Sequence, residues 1–415
     1  MKKKRLRICF LSYRSNPHCG GQGVYIRHLS GALNDLGHQV DVISGQPYPE
    51  LTRNVGLIGL KSLNLYDPDD LFRTPKTYEL RSFINLYEWL SVCSMGFPEP
   101  TSFGFRVWQY LKTRLNYYDI IHDNQSLSYG IYFVSRKKPL IVTIHHPMTV
   151  DRKVAIQTAP NFLRKIQAIR WYSFIGMQKR ISRRIEKIVT VSKCAAFDIH
   201  REFDIPLDRF SIVANGIDVQ SFKPIPSVKR DFSRILTTNS ADMPLKGLKY
   251  LLDAVDIIRK TRSVHLYVVG SPKPDGLIEH HVKQKKLESH VHFLGRIDQS
   301  TYNDQYAKAG MAVIPSIYEG FGLPAGEAMA CAVPVISTTG GALPEVVGDA
   351  GILVPPGNTD VLIKKISYLM DHPEEADRLG QKGFQRVHQE FTWQKAAEKM
   401  TDIYLEVLNK KGFNT

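Results

Sequence analysis

Short apolar runs alternate with amphipathic stretches along the whole chain. Arg7–Leu11, Gln39–Ile43, Asp119–His122, Leu140–Ile144, Lys187–Val191 and Ser211–Val213 form a first series of apolar runs. Arg234–Thr237, Val264–Val269, Val291–Phe293, Met311–Ile314, Pro334–Ile336 and Gly351–Val354 form a second. A strand that is apolar on both faces must be covered on both, and the amphipathic segments between such strands are the crossover helices that cover them. The pattern predicts two α/β domains, each a doubly wound parallel sheet. The length of 415 residues agrees, because a single core stops growing near roughly 250–300 residues.

The join is predicted in Asn215-Gly-Ile-Asp218 through Lys223-Pro-Ile-Pro-Ser227, where two prolines forbid regular structure and a glycine permits a turn. This gives an N-terminal domain over 1–215 and a C-terminal domain over 216–390. Residues 391–415 are read as a terminal helix, with Thr392 as its cap, that crosses back to the first domain. Two segments depart from the plan. Residues 66–118 hold 13 of the 42 aromatic side chains and no clear strand. They read as an insertion on the ligand side of the first domain or as a satellite apolar cluster on its sheet. Between Phe162 and Lys187 eight basic residues face one acid, Glu186, on an amphipathic helical pattern. That pattern suits either a solvated helix face or a surface that meets anionic lipid or a substrate phosphate.

Composition narrows the classes. With 43% hydrophobic and 23% charged residues the chain is an ordinary folded one. After Met1-Lys-Lys-Lys-Arg5 only Ile8–Leu11 is apolar, far short of the roughly 20 residues that span a bilayer. A cytoplasmic protein is expected, with the basic surface as a means of peripheral attachment to the inner face of the membrane. Five scattered cysteines, Cys9, Cys19, Cys93, Cys194 and Cys331, show no CxxC spacing, which argues against a disulfide framework and a zinc site. The net charge of +15 favours phosphates or anionic surfaces. No zinc-finger, RNP-type or helix-turn-helix signature points to nucleic acid.

After the first strand, Cys19-Gly20-Gly21-Gln22-Gly23 opens a helical run. Unpaired N–H groups at such a helix start attract an anion, and glycines let it approach. The same glycines also suit a plain strand-to-helix turn. A dinucleotide site fails twice: Gly21-Gln-Gly23-Val-Tyr-Ile26 lacks the third glycine, and the second strand ends Val42-Ile43-Ser44 with no acid for a ribose hydroxyl. The strongest segment is Glu319-Gly320-Phe321-Gly322-Leu323-Pro-Ala-Gly-Glu327, just after one strand and opening a helix. Such a turn aims its amides above the carboxyl ends of the strands, between two carboxylates able to accept hydrogen bonds from hydroxyls such as those of a sugar and a ribose, though two unrelated surface glutamates would give the same spacing. Asp67-Pro-Asp69-Asp70 mimics a metal-binding DxD motif but is read as a solvated loop, so no metal is expected.

With these residues in view, the chain resembles the retaining glycosyltransferases of family 4. The likeness covers nearly the whole chain. It runs through Gly20-Gly21, Thr143-Ile-His145, Val213-Ala-Asn-Gly-Ile-Asp218, Lys246-Gly247, Phe293-Leu-Gly-Arg296, Glu319 to Glu327, Gly340-Gly341-Ala-Leu-Pro-Glu345 and Phe391-Thr-Trp393. The resemblance implies the GT-B fold, two Rossmann-like domains facing a deep cleft, and transfer of a hexose from a UDP- or GDP-linked donor to a hydroxyl of a glycan, glycolipid or lipid-linked acceptor. It implies no cofactor beyond the nucleotide-sugar co-substrate. It assigns His145, Glu319 and Lys246 to the reacting centre, and Gly20, Gly21, Gly23 and Gly320 to Leu323 to donor contacts. Glu327 goes to the donor ribose, while Asp123, Asn124 and His146 go to the acceptor side. The arginine that such enzymes carry shortly before the lysine is missing: Ser240 and Ala241 stand there, with Ser240 or Arg296 as its replacement. A non-catalytic nucleotide-sugar or lipid-phosphate binder on the same fold is the rival reading, and an epimerase or phosphorylase a third.

Overall fold

The structure, a computed structural model, describes residues 5–15, 21–67, 70, 73–238 and 243–410. It divides into two compact units, one of residues 1–191, 195–213 and 396–415 and the other of 192–194 and 214–395.

The first unit holds a seven-stranded sheet: β1 (Arg7–Ser12), β2 (Gln39–Ser44), β3 (Gly56–Gly59), β4 (Ile120–Asn124), β5 (Leu140–Thr143), β6 (Lys187–Thr190) and β7 (Phe210–Ile212). The order is β3-β2-β1-β4-β5-β6-β7 and every pairing is parallel. The second unit holds six strands: β8 (Asp231–Thr238), β9 (His265–Val269), β10 (Val291–Gly295), β11 (Ala309–Ile314), β12 (Val335–Thr338) and β13 (Ile352–Val354). They run in the order β10-β9-β8-β11-β12-β13, again all parallel. All six residues of β11 are buried, as its unbroken apolar run requires when helices cover both faces of a parallel sheet.

In each sheet the winding reverses once, between β1 and β4 and between β8 and β11. The loops after those strands leave in opposite directions and open a crevice above their carboxyl ends, where open α/β sheets bind ligands.

Twelve of the thirteen strands coincide with apolar runs read from the sequence. The exception is β3, an edge strand of four residues with glycine at both ends and alternating half-buried and exposed positions. It is too short and too weakly apolar to carry a periodic signal. The described part of the aromatic segment 66–118 contains no strand and carries helices Phe83–Cys93 and Glu99–Leu111. The latter buries Phe103, Val107 and Leu111 in the core of the first unit.

The last helix, Trp393–Lys410, starts with Thr392 Oγ1 accepting from the Lys395 N–H at 3.3 Å. From Ala396 onward it belongs to the first unit. There the Tyr404 hydroxyl meets His122 Nδ1 at 2.7 Å and Thr401 Oγ1 meets His38 Nε2 at 3.0 Å. Among the described residues no helix is long and apolar enough to cross a membrane.

Candidate active site

The crevice of the second unit is built from the loops after β8 and β11. The first re-enters the described chain at Met243 and makes a short turn, Pro244–Lys246, before helix Leu248–Ile258. Gly247 lies between them at φ +68°, and a Cβ there would sit 2.0 Å from the Pro315 carbonyl oxygen. Only glycine lets the two loops come this close. They are joined by the Ile317 N–H donating to the Leu245 carbonyl at 2.8 Å. This approach brings Lys246 Nζ to 2.7 Å from Glu319 Oε1, an oxygen that also accepts from Ser316 Oγ at 2.9 Å.

The chain then turns into helix Leu323–Ala330 through Gly322, whose φ of +99° is left-handed. The amides of Phe321, Gly322 and Leu323 have no hydrogen-bond partner among the described residues. They stand at the positive end of the helix dipole, an arrangement that receives an anion. Gly341 holds the turn from behind. The Ala342 N–H donates to the Glu319 carbonyl at 2.9 Å, and Gly341 itself has φ +64° with its absent Cβ 2.2 Å from that oxygen. Gly341→Ala is therefore expected to cost about 2 kcal/mol or more of stability. Chemical unfolding checks it: a variant as stable as the parent would mean that the turn yields freely.

One turn into the same helix stands Glu327. Its Oε2 accepts from the Tyr302 hydroxyl at 3.3 Å, and that hydroxyl lies 2.5 Å from Thr238 Oγ1 at the end of β8. Tyr302 stacks on Tyr306 with centroids 5.1 Å apart. Burial among these rings pushes the Glu327 carboxyl up to about 7, and the hydroxyls of Tyr302 and Tyr306 partly oppose the rise. Arg296 stands exposed at the carboxyl end of edge strand β10. That is two strand spacings, about 10 Å, from β8. It makes no hydrogen bond or ion pair with Lys246 or Glu319 among the described residues. Ser240 lies outside the described residues.

In the first unit the crevice between β1 and β4 gathers a second group. Gly21 opens helix Gly21–Asp35 and Gly23 is buried in its first turn; Gly20 lies outside the described residues. Across the crevice His145 follows β5, with Nε2 2.8 Å from Asn124 Oδ1 and its backbone N–H donating to Gln125 Oε1 at 2.8 Å. A carbonyl oxygen only accepts, so Nε2 carries the proton and Nδ1 is bare. The Tyr25 ring meets the imidazole edge to face at 4.7 Å. Burial, helped by neighbouring His146, pushes His145 down to about 3, so the ring is neutral. Asn124 is fully buried, and its Nδ2 has no partner among the described residues.

The other acceptor-side residues are engaged locally. Asp123 is fully buried, and its carboxylate accepts from Ser126 Oγ and, at 2.9 Å, from the Leu127 N–H. These bonds hold the turn that follows β4. His146 Nε2 lies 3.2 Å from Asp151. Of the DxD-like stretch, Asp67 accepts from Asn64 Nδ2 at 2.6 Å, whereas Asp69 lies outside the described residues. A cavity of about 420 Å³ between Tyr132, Arg136 and Arg184 opens at Leu140, the amino end of β5, and so lies away from these groups.

Three supporting residues, His122, Tyr302 and Tyr306, were not singled out in the sequence. His122 lies inside β4 and holds Thr143 Oγ1 at 2.7 Å through Nε2, and Thr143 Oγ1 in turn meets the Tyr25 hydroxyl at 3.0 Å. Tyr302 and Tyr306 come from a largely polar helix, and the carboxylate that Tyr302 meets lies 25 residues further on. A 3.6-residue spacing on helix Gln299–Lys308 was the only available clue.

Two parallel-sheet Rossmann-like units, one with an ammonium–carboxylate pair and unpartnered amides at its switch point, are the architecture of a GT-B glycosyltransferase. The chain matches the family described as Glycosyltransferase Family 4 over residues 19–221 and Glycosyl transferases group 1 over residues 233–372. It is 42% identical over 404 residues to MMP α-(1→4)-mannosyltransferase of Mycolicibacterium hassiacum, covering 96% of this chain and 98% of that protein. The chain belongs to glycosyltransferase family 4. Its fold is shared with sucrose-phosphate synthase of Thermosynechococcus elongatus, at a TM-score of 0.75 and 24% identity over 98% of this chain and all (100%) of that one. It is also shared with HepE of Anabaena solved with UDP-glucose, at 0.68 and 16% over 97% and 100%.

Proposed function

We propose that this glycosyltransferase moves a hexose, mannose in the first instance, from a nucleoside-diphosphate sugar to a hydroxyl of a glycan acceptor with retention of configuration. The observation that carries the reading is the Lys246–Glu319 pair together with the amides of Phe321 to Leu323, which follow Glu319 in the same loop and have no partner among the described residues. A diphosphate leaving group gains negative charge as the anomeric bond breaks. The ammonium of Lys246 and the amides at a helix start supply the compensating positive charge there, the service a metal ion performs elsewhere. Glu319 accepts from hydroxyls of the transferred sugar and Glu327 from those of the ribose. The leaving phosphate takes the acceptor proton on the face it departs from, so no protein nucleophile is needed. Mannose is favoured by the name of the 42% identical relative. An anionic membrane surface is proposed as a further partner.

A panel of GDP-mannose, UDP-glucose, UDP-galactose, UDP-N-acetylglucosamine and ADP-glucose tests the reading by thermal unfolding. A donor far above its Kd stabilises the folded chain by RT ln(1 + [L]/Kd), about 2.7 kcal/mol at a hundredfold excess. GDP-mannose is expected to raise Tm and to release GDP slowly in water alone. No shift with any member of the panel would sink the proposal.

A further inference from the structure

Among the described residues the first unit carries two helices with exposed apolar stripes. On helix Phe83–Cys93 the side chains of Phe83, Leu86, Tyr87 and Leu90 are exposed by 89%, 36%, 45% and 57%. Their spacing of three, four and seven residues places them on one stripe, while Glu88 and Ser91 on the opposite side are buried. Helix Phe162–Trp171 has no buried residue at all, and Phe162 and Leu163 are each 74% exposed. Ile166 and Ile169 continue that stripe.

The carboxyl ends of the two helices adjoin. Arg170 Nη2 donates to Ser94 Oγ at 3.0 Å, and Phe97 stacks on Trp171 with centroids 5.0 Å apart. Met95, between them, is exposed as well. Folded chains rarely leave so much contiguous apolar surface in water unless something covers it.

The charge around the stripes says what that is. Helix Phe162–Trp171 contains Arg164, Lys165 and Arg170 and no acid. The chain as a whole carries a net charge of +15. A second copy would oppose positive charge to positive charge. A bilayer with anionic headgroups offers both an apolar layer for Phe83, Phe162 and Leu163 and phosphates for Arg164 and Lys165, the recognition chemistry of an interfacial amphipathic helix.

We infer that helices Phe83–Cys93 and Phe162–Trp171 form one docking surface that seats the enzyme on an anionic lipid bilayer. Binding there is independent of the donor, so the surface stands or falls apart from the transfer reading. All the side chains substituted in the test are exposed, so folding is preserved.

The full chain is sedimented with phosphatidylcholine vesicles, with or without about one-third phosphatidylglycerol, at low and high ionic strength. The parent is expected to pellet with the anionic vesicles at low salt and to be released by salt. Phe162→Ser/Leu163→Ser and Arg164→Glu/Lys165→Glu are each expected to lower the partition coefficient about tenfold or more. Phe83→Ser/Leu90→Ser should do the same if the two helices act together. The donor-induced thermal shift stays unchanged in all three. Equal binding to neutral and anionic vesicles, or none to either, overturns the inference. So does a dimer in sedimentation equilibrium that the serine variants dissociate, which would assign the surface to a second copy.

Discussion

Lys246→Ala is expected to lower kcat/KM by roughly a hundred- to a thousandfold, the usual consequence of removing one preorganised group from developing negative charge. In the structure the ammonium is held 2.7 Å from Glu319 Oε1 with 27% of its side chain exposed, so it is both oriented and reachable by a ligand. Lys246→Arg should recover only part of the loss. The point charge of an ammonium suits one oxygen, whereas a planar guanidinium needs a fork of acceptors. Glu319→Ala is expected to separate the two halves of the pair, lowering turnover while leaving nucleotide affinity close to that of the parent. Steady-state kinetics with parallel calorimetry of nucleotide binding reads both. A Lys246→Ala enzyme with near-normal kcat/KM would remove the diphosphate assignment.

Glu327→Ala is expected to weaken nucleotide-sugar binding by roughly ten- to a hundredfold, the cost of about 1.5–3 kcal/mol for hydrogen bonds to a charged acceptor. A pH series sharpens the test. Burial raises the folded-state Glu327 pKa to about 7 from 4.5, so without ligand the folded chain favours the protonated form. The associated stability is fully present below the unfolded pKa and declines as pH rises through about 7. Ribose hydroxyls that donate to the carboxylate favour its ionised form instead. Donor affinity should therefore increase between about pH 6 and 8. A nucleotide-sugar is the right probe, since its esterified diphosphate does not titrate there. In Glu327→Gln the dependence should vanish. Tyr302→Phe removes a donor that lowers the carboxyl pKa, so the inflection should move upward. A pH-independent parent would show that Glu327 does not meet the nucleotide.

The distribution of these groups explains what a linear reading can reach. Glu319 and Glu327 were visible because glycines and a proline between two carboxylates, placed after an apolar run, mark a turn opening a helix. The same logic placed the start of a helix at the glycines where helix Gly21–Asp35 begins. The edge strand β3 escaped because Gly-Leu-Ile-Gly is only four residues long and sets two apolar residues side by side, so its alternating burial has no counterpart in residue type. Asp123, placed on the acceptor side by resemblance, also accepts from the Leu127 N–H at 2.9 Å, a local turn bond that sequence spacing does not announce. Tyr404 reaches His122 across 282 positions, and no local pattern encodes such a separation.

By itself, then, the sequence determined the class of architecture, the places where strands give way to helices, and the segment that carries the carboxylates. Each of these follows from local rules: two-faced burial of parallel strands, positive φ at glycine, and unpaired amides at helix starts. The tertiary structure decided which loops become neighbours. Gly247 can press against Pro315 and bring Lys246 onto Glu319 only because β8 and β11 lie side by side at the point where the sheet reverses. It also decided protonation. The Glu327 carboxyl is raised and the His145 imidazole lowered by burial that partners distant in the chain create, a property of three-dimensional enclosure with no counterpart along the sequence.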